Sequence, residues 1–334
     1  MKYDLVVYIG RFQPFHNGHK DIVEKISLKA KKTLIIVGSI DSPRSIKNPF
    51  SFEERKAMIK NSVHVQYLSV SGVLDYTYDN NRWIKAVSEI VKSECPNGRI
   101  AIAGHFKDNS SNYLNYFPQW DLIEMDSYSH YGDQVNATNL RNLYYEGKFG
   151  YIQNYMPNYV FGQLLEFKTH LEYILLKDEY EYNKEYRKQW ETPFPSIFVT
   201  VDAIVVQSGH VLLIQRKNTP GKDLWAMPGG FIDVNETIET SMIRELREET
   251  CLKVPEKVLR GSISKVEVFD RPGRAQRGRI ITHVYLIELN DTEKLPKVKG
   301  SDDAIAAKWI PIGDFFQMRK QMFSDHWHIV ESIL

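Results

Sequence analysis

Short apolar runs that end in glycine occupy the first third of this 334-residue chain and constrain its fold most strongly. They are Leu5–Ile9 before Gly10, Leu34–Val37 before Gly38 and Ile100–Ala103 before Gly104. Stretches with helical spacing separate the runs, and a helix is predicted from about residue 18 to residue 30. This alternation predicts an α/β fold with a doubly wound parallel sheet that is covered on both faces. Ligands bind at the carboxyl ends of the strands in such sheets, so the glycines mark the expected ligand-binding edge.

The second half of the chain has a different pattern, and the change marks a domain junction. A charged, helix-like stretch from 159 to 190 precedes Thr192-Pro193-Phe194-Pro195, whose prolines stop a helix and favour extended chain. Beyond the prolines, the spacing predicts an α+β domain. Its predicted elements are a hairpin at Ser208-Gly209, a helix over 236–250 and strands over 263–269, 280–289 and 306–310. The predicted domains are therefore residues 1–185 and 195–334.

Charge and cysteine content exclude several classes of protein. Lysine and arginine number 43 against 42 acidic residues, so the net charge of +1 provides no overall attraction to nucleic acid or to an anionic membrane. Cys95 and Cys251 cannot form a disulfide framework, which favours a reducing compartment. No apolar run approaches the roughly 18 residues that a membrane helix needs, and the first run is too short for a secretory signal. We therefore expect a cytoplasmic protein with no nucleic-acid or membrane partner.

A histidine motif follows the first predicted strand and opens the first predicted helix. It reads Gly10-Arg11-Phe12-Gln13-Pro14-Phe15-His16-Asn17-Gly18-His19. His16 and His19 are three residues apart, so they share a face in the first helical turn. The helix start adds backbone N–H groups and a positive dipole end, and Gly18 lets a ligand approach the backbone closely. With Arg11, these features predict a polyphosphate site; two surface histidines beside a capping turn are the alternative.

The histidine motif resembles the nucleotidyltransferase signature that ends in His-x-Gly-His, in the longer form of the archaeal-type nicotinamide mononucleotide (NMN) adenylyltransferases. Further segments resemble the same family: Asn48-Pro49-Phe50 with Glu54-Arg55, Asn81-Arg82-Trp83, Gly104 to Asp108, and Asn136 to Arg141. The resemblance implies a Rossmann-like domain in which the NMN phosphate attacks the α-phosphate of ATP and pyrophosphate leaves, without a covalent intermediate. Such chemistry depends mainly on positioning and on neutralising charge, usually with Mg²⁺.

The resemblance also implies a role for each matching residue. The catalytic groups would be His16, His19, Arg11 and Arg141, which hold the triphosphate. Substrate contacts would come from Gly10, Phe12, Gly18, Asn48, Arg55, Trp83, Gly104, Asp108 and Thr138. Trp83 would stack on the nicotinamide ring, and a half-buried helix aromatic that only packs is the alternative. Asn136 stands where the family usually has Ser, but Asn is a good helix N-cap, so the predicted helix start is kept.

One predicted helix in the second domain carries three carboxylates on a single face. Glu245, Glu248 and Glu249 lie at i, i+3 and i+4. Like charges at this spacing oppose a helix by about a few tenths of a kcal/mol per pair, and a divalent hard cation would turn the repulsion into coordination. Arg244 can orient one carboxylate. A solvated charged face is the alternative, and it leaves the Met227-Pro228-Gly229-Gly230 turn before the helix unexplained.

The turn and the carboxylate helix together resemble the Nudix signature. Cys251 stands where the family has its final Gly, a residue that often forms a left-handed helix cap. The resemblance implies hydrolysis of a nucleoside diphosphate joined to another group, in which Mg²⁺ or Mn²⁺ polarises the diphosphate and activates a water. It also assigns residues: Glu245 and Glu249 to catalysis and metal binding, Glu248 to metal binding, and Gly230 to the substrate.

A basic segment later in this domain resembles one found in ADP-ribose-directed Nudix proteins. It runs from Phe269 to Arg279, and Arg271 and Arg274 are its substrate-binding candidates. A basic, exposed hairpin loop is the alternative. Asp302 and Asp303 are late carboxylates that either join the metal site or are plain loop acids.

The pairing of the two motifs resembles the bacterial bifunctional NMN adenylyltransferase/Nudix hydrolases over nearly the full length. This implies that one domain joins NMN and ATP into NAD and pyrophosphate, and that the other cleaves ADP-ribose to AMP and ribose 5-phosphate. In the alternative interpretation, the first substrate is nicotinate mononucleotide and the Nudix domain binds an NAD-related ligand as a regulator without hydrolysing it. Each motif is complete within its own domain, so we expect chemically independent sites. The sequence does not determine the oligomeric state, and a homo-oligomer is one of the alternatives.

Overall fold

The computed structural model describes residues 1–104, 109–125, 129–130, 133–134, 136–189 and 195–334. The chain divides into two compact units, Met1–Asp178 and Glu179–Leu334. The division falls inside a helix, and the functional limits 1–185 and 195–334 stay a prediction. Asp108, which we expect to contact substrate, lies outside the described residues. Within the described ranges, no helix is both long enough and apolar enough to cross a membrane.

A sheet of five parallel strands forms the centre of the first unit. The strands are β1 (Tyr3–Gly10), β2 (Ala30–Val37), β3 (Leu68–Gly72), β4 (Ile100–Gly104) and β5 (Asp121–Glu124). Their order is β3-β2-β1-β4-β5, and each neighbouring pair is parallel. The predicted parallel sheet is confirmed. Gly10 and Gly104 end their strands and Gly38 follows β2 by one residue, so the glycines do mark one edge of the sheet.

Three helices alternate with the first four strands as the pattern predicts, and the other helices of the unit follow the sheet. The helices are α1 (Asn17–Ser27), α2 (Phe52–Lys60), α3 (Asn80–Glu94), α4 (Ala137–Tyr145), α5 (Phe149–Ile152), α6 (Asn158–Phe167) and α7 (Leu171–Lys188). The unit also has 3-10 helices over Asn109–Tyr116 and Gln153–Tyr155, and a short ribbon of β6 (Ser129–His130) and β7 (Asp133–Gln134). Helix α1 ends three residues before the predicted position, because Ala30 opens the buried strand β2.

The charged stretch from 159 to 190 is helical in its described part, as expected, but it contains two helices, α6 and α7. The hydroxyl of Thr169 donates to the carbonyl oxygen of Glu166 over 2.8 Å, and the backbone N–H of Thr169 turns back to the same oxygen. Threonine hydroxyls compete with the helix for backbone partners in this way. The local hydrogen bonds therefore end α6 before α7 begins.

A mixed sheet of seven strands forms the second unit. The strands are β8 (Ile197–Gln207), β9 (His210–Arg216), β10 (Trp225–Ala226), β11 (Gly229–Phe231), β12 (Ile263–Phe269), β13 (Arg279–Glu288) and β14 (Ala304–Pro311). β13 lies parallel to β8, and the other pairs are antiparallel. The helices are α8 (Ile238–Thr250), α9 (Glu256–Gly261), α10 (Ile312–Phe315) and α11 (His326–Ile333), with a 3-10 helix over Arg319–Gln321. The predicted α+β arrangement is confirmed, including the β8–β9 hairpin.

Helix α8 packs an apolar stripe onto the sheet of the second unit. Met242 and Leu246 are buried in one cluster with Val201 and Ala203 of β8. A buried stripe at helical spacing fixes the rotation of the helix about its own axis. The carboxylate-bearing face is therefore turned towards the β11 strand, where Gly229 and Gly230 lie.

Cys251 caps helix α8 in the left-handed region, with φ of +50° and ψ of 26°. A side chain in this region costs about 1–2 kcal/mol, a cost that glycine avoids.

Cys251→Gly is therefore expected to raise the free energy of unfolding by about 1 kcal/mol and Tm by roughly 2–4 °C. Thermal unfolding of the full chain is the measurement. Cys251→Ala keeps a Cβ at the same φ and is the matched control; an equal gain in both variants would contradict this explanation.

Candidate active sites

The histidine motif forms a loop at the carboxyl end of β1. Phe12 has φ of +53°, and a Cβ on Gly10 would lie 2.9 Å from the Phe12 ring. The same ring lies edge-on to His19, with ring centroids 4.9 Å apart. Because Phe12 is buried, its side chain supports the loop, and its predicted substrate contact has to come from its backbone. Gly10 is needed here since the ring occupies the space of a side chain.

His16 and His19 lie together at the start of α1. Their rings are stacked, with centroids 3.6 Å apart and planes inclined by 25°. The backbone N–H of His16 donates to Nδ1 of His19 over 3.3 Å. In a neutral His19 ring the proton is therefore on Nε2, which can donate to an anion. His16 is the N-cap and Gly18 is buried in the first turn, so both rings stand at the positive end of the helix.

Helix α4 brings Arg141 to this loop from a distant part of the chain. Nη1 of Arg141 donates to the carbonyl oxygen of Gln13 over 2.7 Å, and Nη2 donates to Oγ1 of Thr138 over 3.2 Å. Burial, helped by the charge of Arg11, lowers the pKa of Arg141 to about 10, so the group is a cation at pH 7. Asn136 caps α4, because its Oδ1 accepts the N–H of Asn139 over 2.8 Å. The predicted helix start at this position is confirmed.

Arg55 is enclosed beneath the same edge of the sheet. It is 1% exposed, and Nη1 donates to the carbonyl oxygens of Arg11 (2.8 Å) and Gly38 (2.7 Å). Nη2 donates to the carbonyl oxygen of Ser39 over 3.0 Å. These bonds hold the ends of β1 and β2 at a fixed separation. Arg55 is thus a positioning group for the Arg11 loop, and its expected contact with substrate stays a prediction.

A buried pair of hydrogen bonds joins the histidine loop to the Asn48 segment. Gln13 Nε2 donates to the carbonyl oxygen of Phe50 over 2.8 Å, and the N–H of Phe50 donates to Gln13 Oε1 over 3.0 Å. The N–H of Asn48 donates to Oγ of Ser45 over 3.1 Å. The buried Oδ1 of Asn48 has no hydrogen-bond partner among the described residues. An amide oxygen without such a partner can accept a hydrogen bond from a substrate, which agrees with the predicted substrate contact of Asn48.

The remaining predicted residues lie at or near the same strand ends. Trp83 is half-buried on α3 and packs against Tyr113 and Phe117, with ring centroids 6.2 Å and 5.9 Å away. These contacts agree with both interpretations of Trp83. A Cβ on Gly104 would lie 2.6 Å from Leu114, so glycine at this position allows the Leu114 side chain to pack against the backbone.

One guanidinium orders the acidic side chains of the second motif. Arg244 donates through Nε to Glu236 over 3.0 Å and through Nη1 to Glu245 (2.7 Å) and Glu248 (3.0 Å). A Cβ on Gly230 would lie 2.6 Å from the carboxylate carbon of Glu245. The positions of glycine, glutamate and arginine in the signature thus correspond to direct contacts in space.

Glu249 is the most enclosed of the three helix carboxylates. It is 4% exposed, and its Oε2 accepts the N–H of Gly229 over 2.8 Å. Burial raises its pKa to about 8, and the charges of Glu245 and Asp202 add to the shift. Asp202 on β8 is buried too, and it accepts the Thr282 hydroxyl over 2.5 Å. Carboxylates collected in this way favour a bound cation or a proton.

These carboxylates fit a divalent cation that the protein holds with few ligands. Within the described ranges, no group of three or more His, Cys, Asp or Glu side chains is arranged to hold a metal ion. Glu245 acts electrostatically on Glu249, whereas the side chain of Glu248 pairs with Arg244 and is 47% exposed. Mg²⁺ is commonly held by one or two carboxylates, with waters and substrate phosphates completing its shell. Glu245 and Glu249 suit that mode, and Glu248 as a ligand stays a prediction.

The basic loop between β12 and β13 is tied to the end of the chain. Arg274 pairs with Asp325 through two hydrogen bonds of 3.0 Å, and both side chains are buried. The hydroxyl of Ser324 donates to the carbonyl oxygen of Arg274 over 2.9 Å. Arg271 is exposed on the same loop. Arg274 therefore anchors the loop, and contacts of Arg271 and Arg274 with substrate stay a prediction.

His326 connects the start of α11 to the turn before the carboxylate helix. Its Nδ1 accepts the N–H of Met227 over 3.1 Å. Burial lowers the pKa of His326 from 6.5 to about 3, so the ring is neutral near pH 7. Because folding lowers the pKa of His326, its neutral ring contributes to the free energy of unfolding above pH 6.5. This contribution is lost as the pH falls towards 3.

The wild-type protein is therefore expected to lose about 2–3 kcal/mol of unfolding free energy through His326 between about pH 6.5 and pH 4.5. His326→Asn can keep an acceptor for the Met227 N–H without titrating in this window. Urea unfolding of both proteins at the two pH values is the measurement. We expect the variant to show the smaller loss, and equal losses would contradict the assignment.

Sequence reasoning missed Asp202, Arg216 and His326. Asp202 does carry a signal, since it is one acidic residue inside the apolar strand β8. Arg216 and His326 have none, because their neighbours Phe323 and Met227 come from distant segments. Only the folded chain brings these groups to the carboxylate helix.

Two family models match the chain, Cytidylyltransferase-like over residues 7–95 and NUDIX domain over residues 197–333. Two crystal structures of a bifunctional NMN adenylyltransferase/ADP ribose pyrophosphatase from Francisella tularensis match at 38% and 37% identity. Each has a TM-score of 0.92 and covers 99% of this chain and 98% of its own. The chain belongs to this family of bifunctional enzymes. One of these structures is complexed with AMP and a manganese ion, so a family member binds a divalent cation.

Two further relatives each match one part of the chain. Nicotinamide/nicotinic acid mononucleotide adenylyltransferase of Acinetobacter baylyi is 32% identical over 186 residues, which are 54% of this chain and 94% of the relative. ADP-ribose pyrophosphatase of Methanocaldococcus jannaschii is 35% identical over 136 residues, which are 41% of this chain and 72% of the relative. The predicted family and its two enzyme classes are confirmed.

Proposed function

We propose that the first unit joins NMN and ATP to form NAD and pyrophosphate. The observation that carries the proposal is that Arg141 meets the His16–His19 loop at the carboxyl end of β1. A phosphate oxygen of NMN attacks the α-phosphorus of ATP, and the bond to pyrophosphate breaks. The enzyme contributes positioning and positive charge, so no covalent intermediate is needed.

Each group of this site has a distinct task in the proposed reaction. His19 donates from Nε2 to a phosphate oxygen, and Arg11 and Arg141 balance the charge that develops on the leaving pyrophosphate. The N-terminus of α1 adds its positive end, with His16 as its cap. Arg55 holds the Arg11 loop in place through the backbone.

We propose that the second unit hydrolyses ADP-ribose to AMP and ribose 5-phosphate. The observation that carries this proposal is the enclosure of Glu249 and Glu245 against Gly229 and Gly230. Mg²⁺, or Mn²⁺ in its place, would be held by these carboxylates and would polarise the diphosphate and activate a water. Arg244 orients Glu245, and the Gly229 N–H fixes Glu249.

Nicotinic acid mononucleotide is a second candidate for the first site. The relative from Acinetobacter baylyi is named for both mononucleotides. Trp83 can stack on either ring, because stacking does not depend on the amide or carboxylate that distinguishes them.

We also propose a cytoplasmic location, since Cys95 and Cys251 are free thiols.

A product assay with the purified full chain and Mg²⁺ tests both proposals. NMN and nicotinic acid mononucleotide are compared as partners of ATP, and ADP-ribose is compared with NADH and dinucleoside polyphosphates. NAD from NMN and AMP from ADP-ribose are the expected products. No dinucleotide from either mononucleotide would exclude the first activity, and no AMP from ADP-ribose would exclude the second.

A further inference from the structure

The arginines of the basic loop differ in what their guanidinium groups contact. Arg274 and Arg279 donate hydrogen bonds to a carboxylate and to a backbone carbonyl of the second unit. Arg277 instead lies over two rings, 5.4 Å from the centroid of Phe231 and 5.7 Å from that of Tyr186. Among the residues that the structure describes, no acceptor takes a hydrogen bond from Arg277. Its guanidinium is held by these two rings, and its N–H groups donate to none of the described residues.

The ring contacts place Arg277 beside the carboxylate site. Aromatic faces fix the plane of a guanidinium and leave its N–H edges able to donate. Phe231 directly follows Gly230, against which the Glu245 carboxylate packs. The carbonyl oxygen of Phe231 also accepts Nη2 of Arg244 over 3.3 Å. One short strand therefore supports both the acidic group and Arg277.

Arg216 on β9 is a second arginine of the same kind. Its guanidinium lies 4.3 Å from the centroid of Phe323, and Nε donates to the carbonyl oxygen of Pro220 over 2.9 Å. In the described part of the chain, neither Nη atom of Arg216 has a hydrogen-bond acceptor. Burial lowers the pKa of Arg216, and the nearby positive charge of Arg277 adds to that shift. The charge of Arg277 therefore acts unfavourably on the charged form of Arg216.

Acidic groups act on this pair through their charges, and none of those in the described part of the chain accepts a hydrogen bond from it. Glu249, Asp303 and Asp202 act on Arg216 through their charges. Glu179 of α7 acts on Arg216 and Arg277 and accepts a hydrogen bond from the backbone of Gly221, and burial raises its pKa. The carboxylates act through their charges, and within the described residues the two Nη atoms of Arg216 and the donors of Arg277 have no hydrogen-bond acceptor. An oxyanion held between the arginines would supply those acceptors and remove the repulsion.

We propose that Arg216 and Arg277 form an anion site that binds the phosphoryl oxygens of the substrate diphosphate beside Glu245 and Glu249. The inference rests on the proposed hydrolase function and adds to it the groups that select a diphosphate. The cation held by the carboxylates and the two arginines would contact different oxygens of the same diphosphate. After hydrolysis, the arginines would hold a phosphomonoester product.

The test uses Arg216→Gln, Arg277→Gln and their combination in the full chain. Each single change is expected to raise KM for ADP-ribose by about ten-fold or more, because a charge-assisted hydrogen bond is lost, with a smaller change in kcat. Arg277→Lys keeps the charge but not the planar fork, so its KM should lie between that of the wild type and that of Arg277→Gln. Arg247→Gln is the matched control, since its side chain is 48% exposed and its carboxylate neighbour Glu256 is 3.9 Å away.

A second measurement separates the anion site from turnover. Calorimetric titration of ADP-ribose in EDTA reports binding without hydrolysis, and both Gln variants are expected to bind about ten-fold more weakly than the wild type. Thermal unfolding of the same preparations confirms that the unit carrying the substitutions is folded. Weaker binding by the variants supports the anion site even if the wild type releases no AMP, which would exclude only the hydrolase proposal. Unchanged KM and unchanged binding in the double variant would overturn the anion site and leave the hydrolase proposal standing.

Discussion

Replacing Glu249 with Gln is expected to lower kcat for ADP-ribose hydrolysis by about a thousand-fold, since a bound metal supplies several kcal/mol of transition-state stabilisation. Gln can still accept the Gly229 N–H, so the local fold is kept while the charge that holds the cation is lost. NAD synthesis by the same protein should be unchanged. Both rates are measured with Mg²⁺ at saturating substrate.

Glu239→Gln is the matched control for this prediction. Glu239 lies on the same helix, its side chain is 42% exposed, and it pairs with Arg260 on the surface. Surface pairs contribute little, so both activities of this variant should stay within about two-fold of wild type. Hydrolysis by Glu249→Gln at the wild-type rate would remove Glu249 from the proposed mechanism. Loss of NAD synthesis in the same folded variant would contradict the independence of the two sites.

His19→Ala is expected to lower the rate of NAD synthesis by about 100- to 1000-fold and to leave ADP-ribose hydrolysis unchanged. The ring holds its Nε2 donor in place through the 3.3 Å hydrogen bond from the His16 backbone to Nδ1. Alanine removes the donor that we assign to a phosphate oxygen of ATP. His16→Ala should act in the same direction, because the two rings are stacked. Formation of NAD from NMN and ATP is the measurement.

His64→Ala provides the control for the histidine variants. His64 is an exposed histidine of the first unit, outside the loop after β1. Its replacement should leave the rate of NAD synthesis at the wild-type value. A similar loss in His64→Ala and His19→Ala would point to a general effect of histidine removal rather than to a role in the site. Normal NAD synthesis by His19→Ala would exclude the proposed donor.

Elements that bury one face were predictable because burial imposes a period on the sequence. The strand predicted over 263–269 is β12 with the same bounds, and the hairpin at Ser208-Gly209 joins β8 and β9 as expected. The carboxylate face of α8 follows from the i, i+3 and i+4 spacing once the opposite stripe is buried. The break between α6 and α7 was missed, since the Thr169 hydrogen bond that ends α6 leaves the helical pattern of apolar residues unchanged.

The roles of the arginines were not predictable in the same way. Arg11, Arg55, Arg141, Arg274 and Arg277 are chemically identical in the sequence, yet their surroundings differ. Arg55 donates hydrogen bonds to backbone carbonyls, Arg274 pairs with Asp325, and Arg277 lies on aromatic rings. Each partner comes from another segment of the chain. Only the fold therefore separates the arginines that support a loop from those that we propose to bind a ligand.

The sequence by itself determined the two enzyme classes, because each signature lies within one short segment. Local helical geometry already brings His16 to His19 and Glu245 to Glu249. The tertiary structure decided which distant groups lie near each motif, such as Arg141 beside Gln13 and Arg216 near Glu249. The physical reason is that periodicity records which face of an element is buried, whereas the partners of a buried polar group depend on how the elements pack.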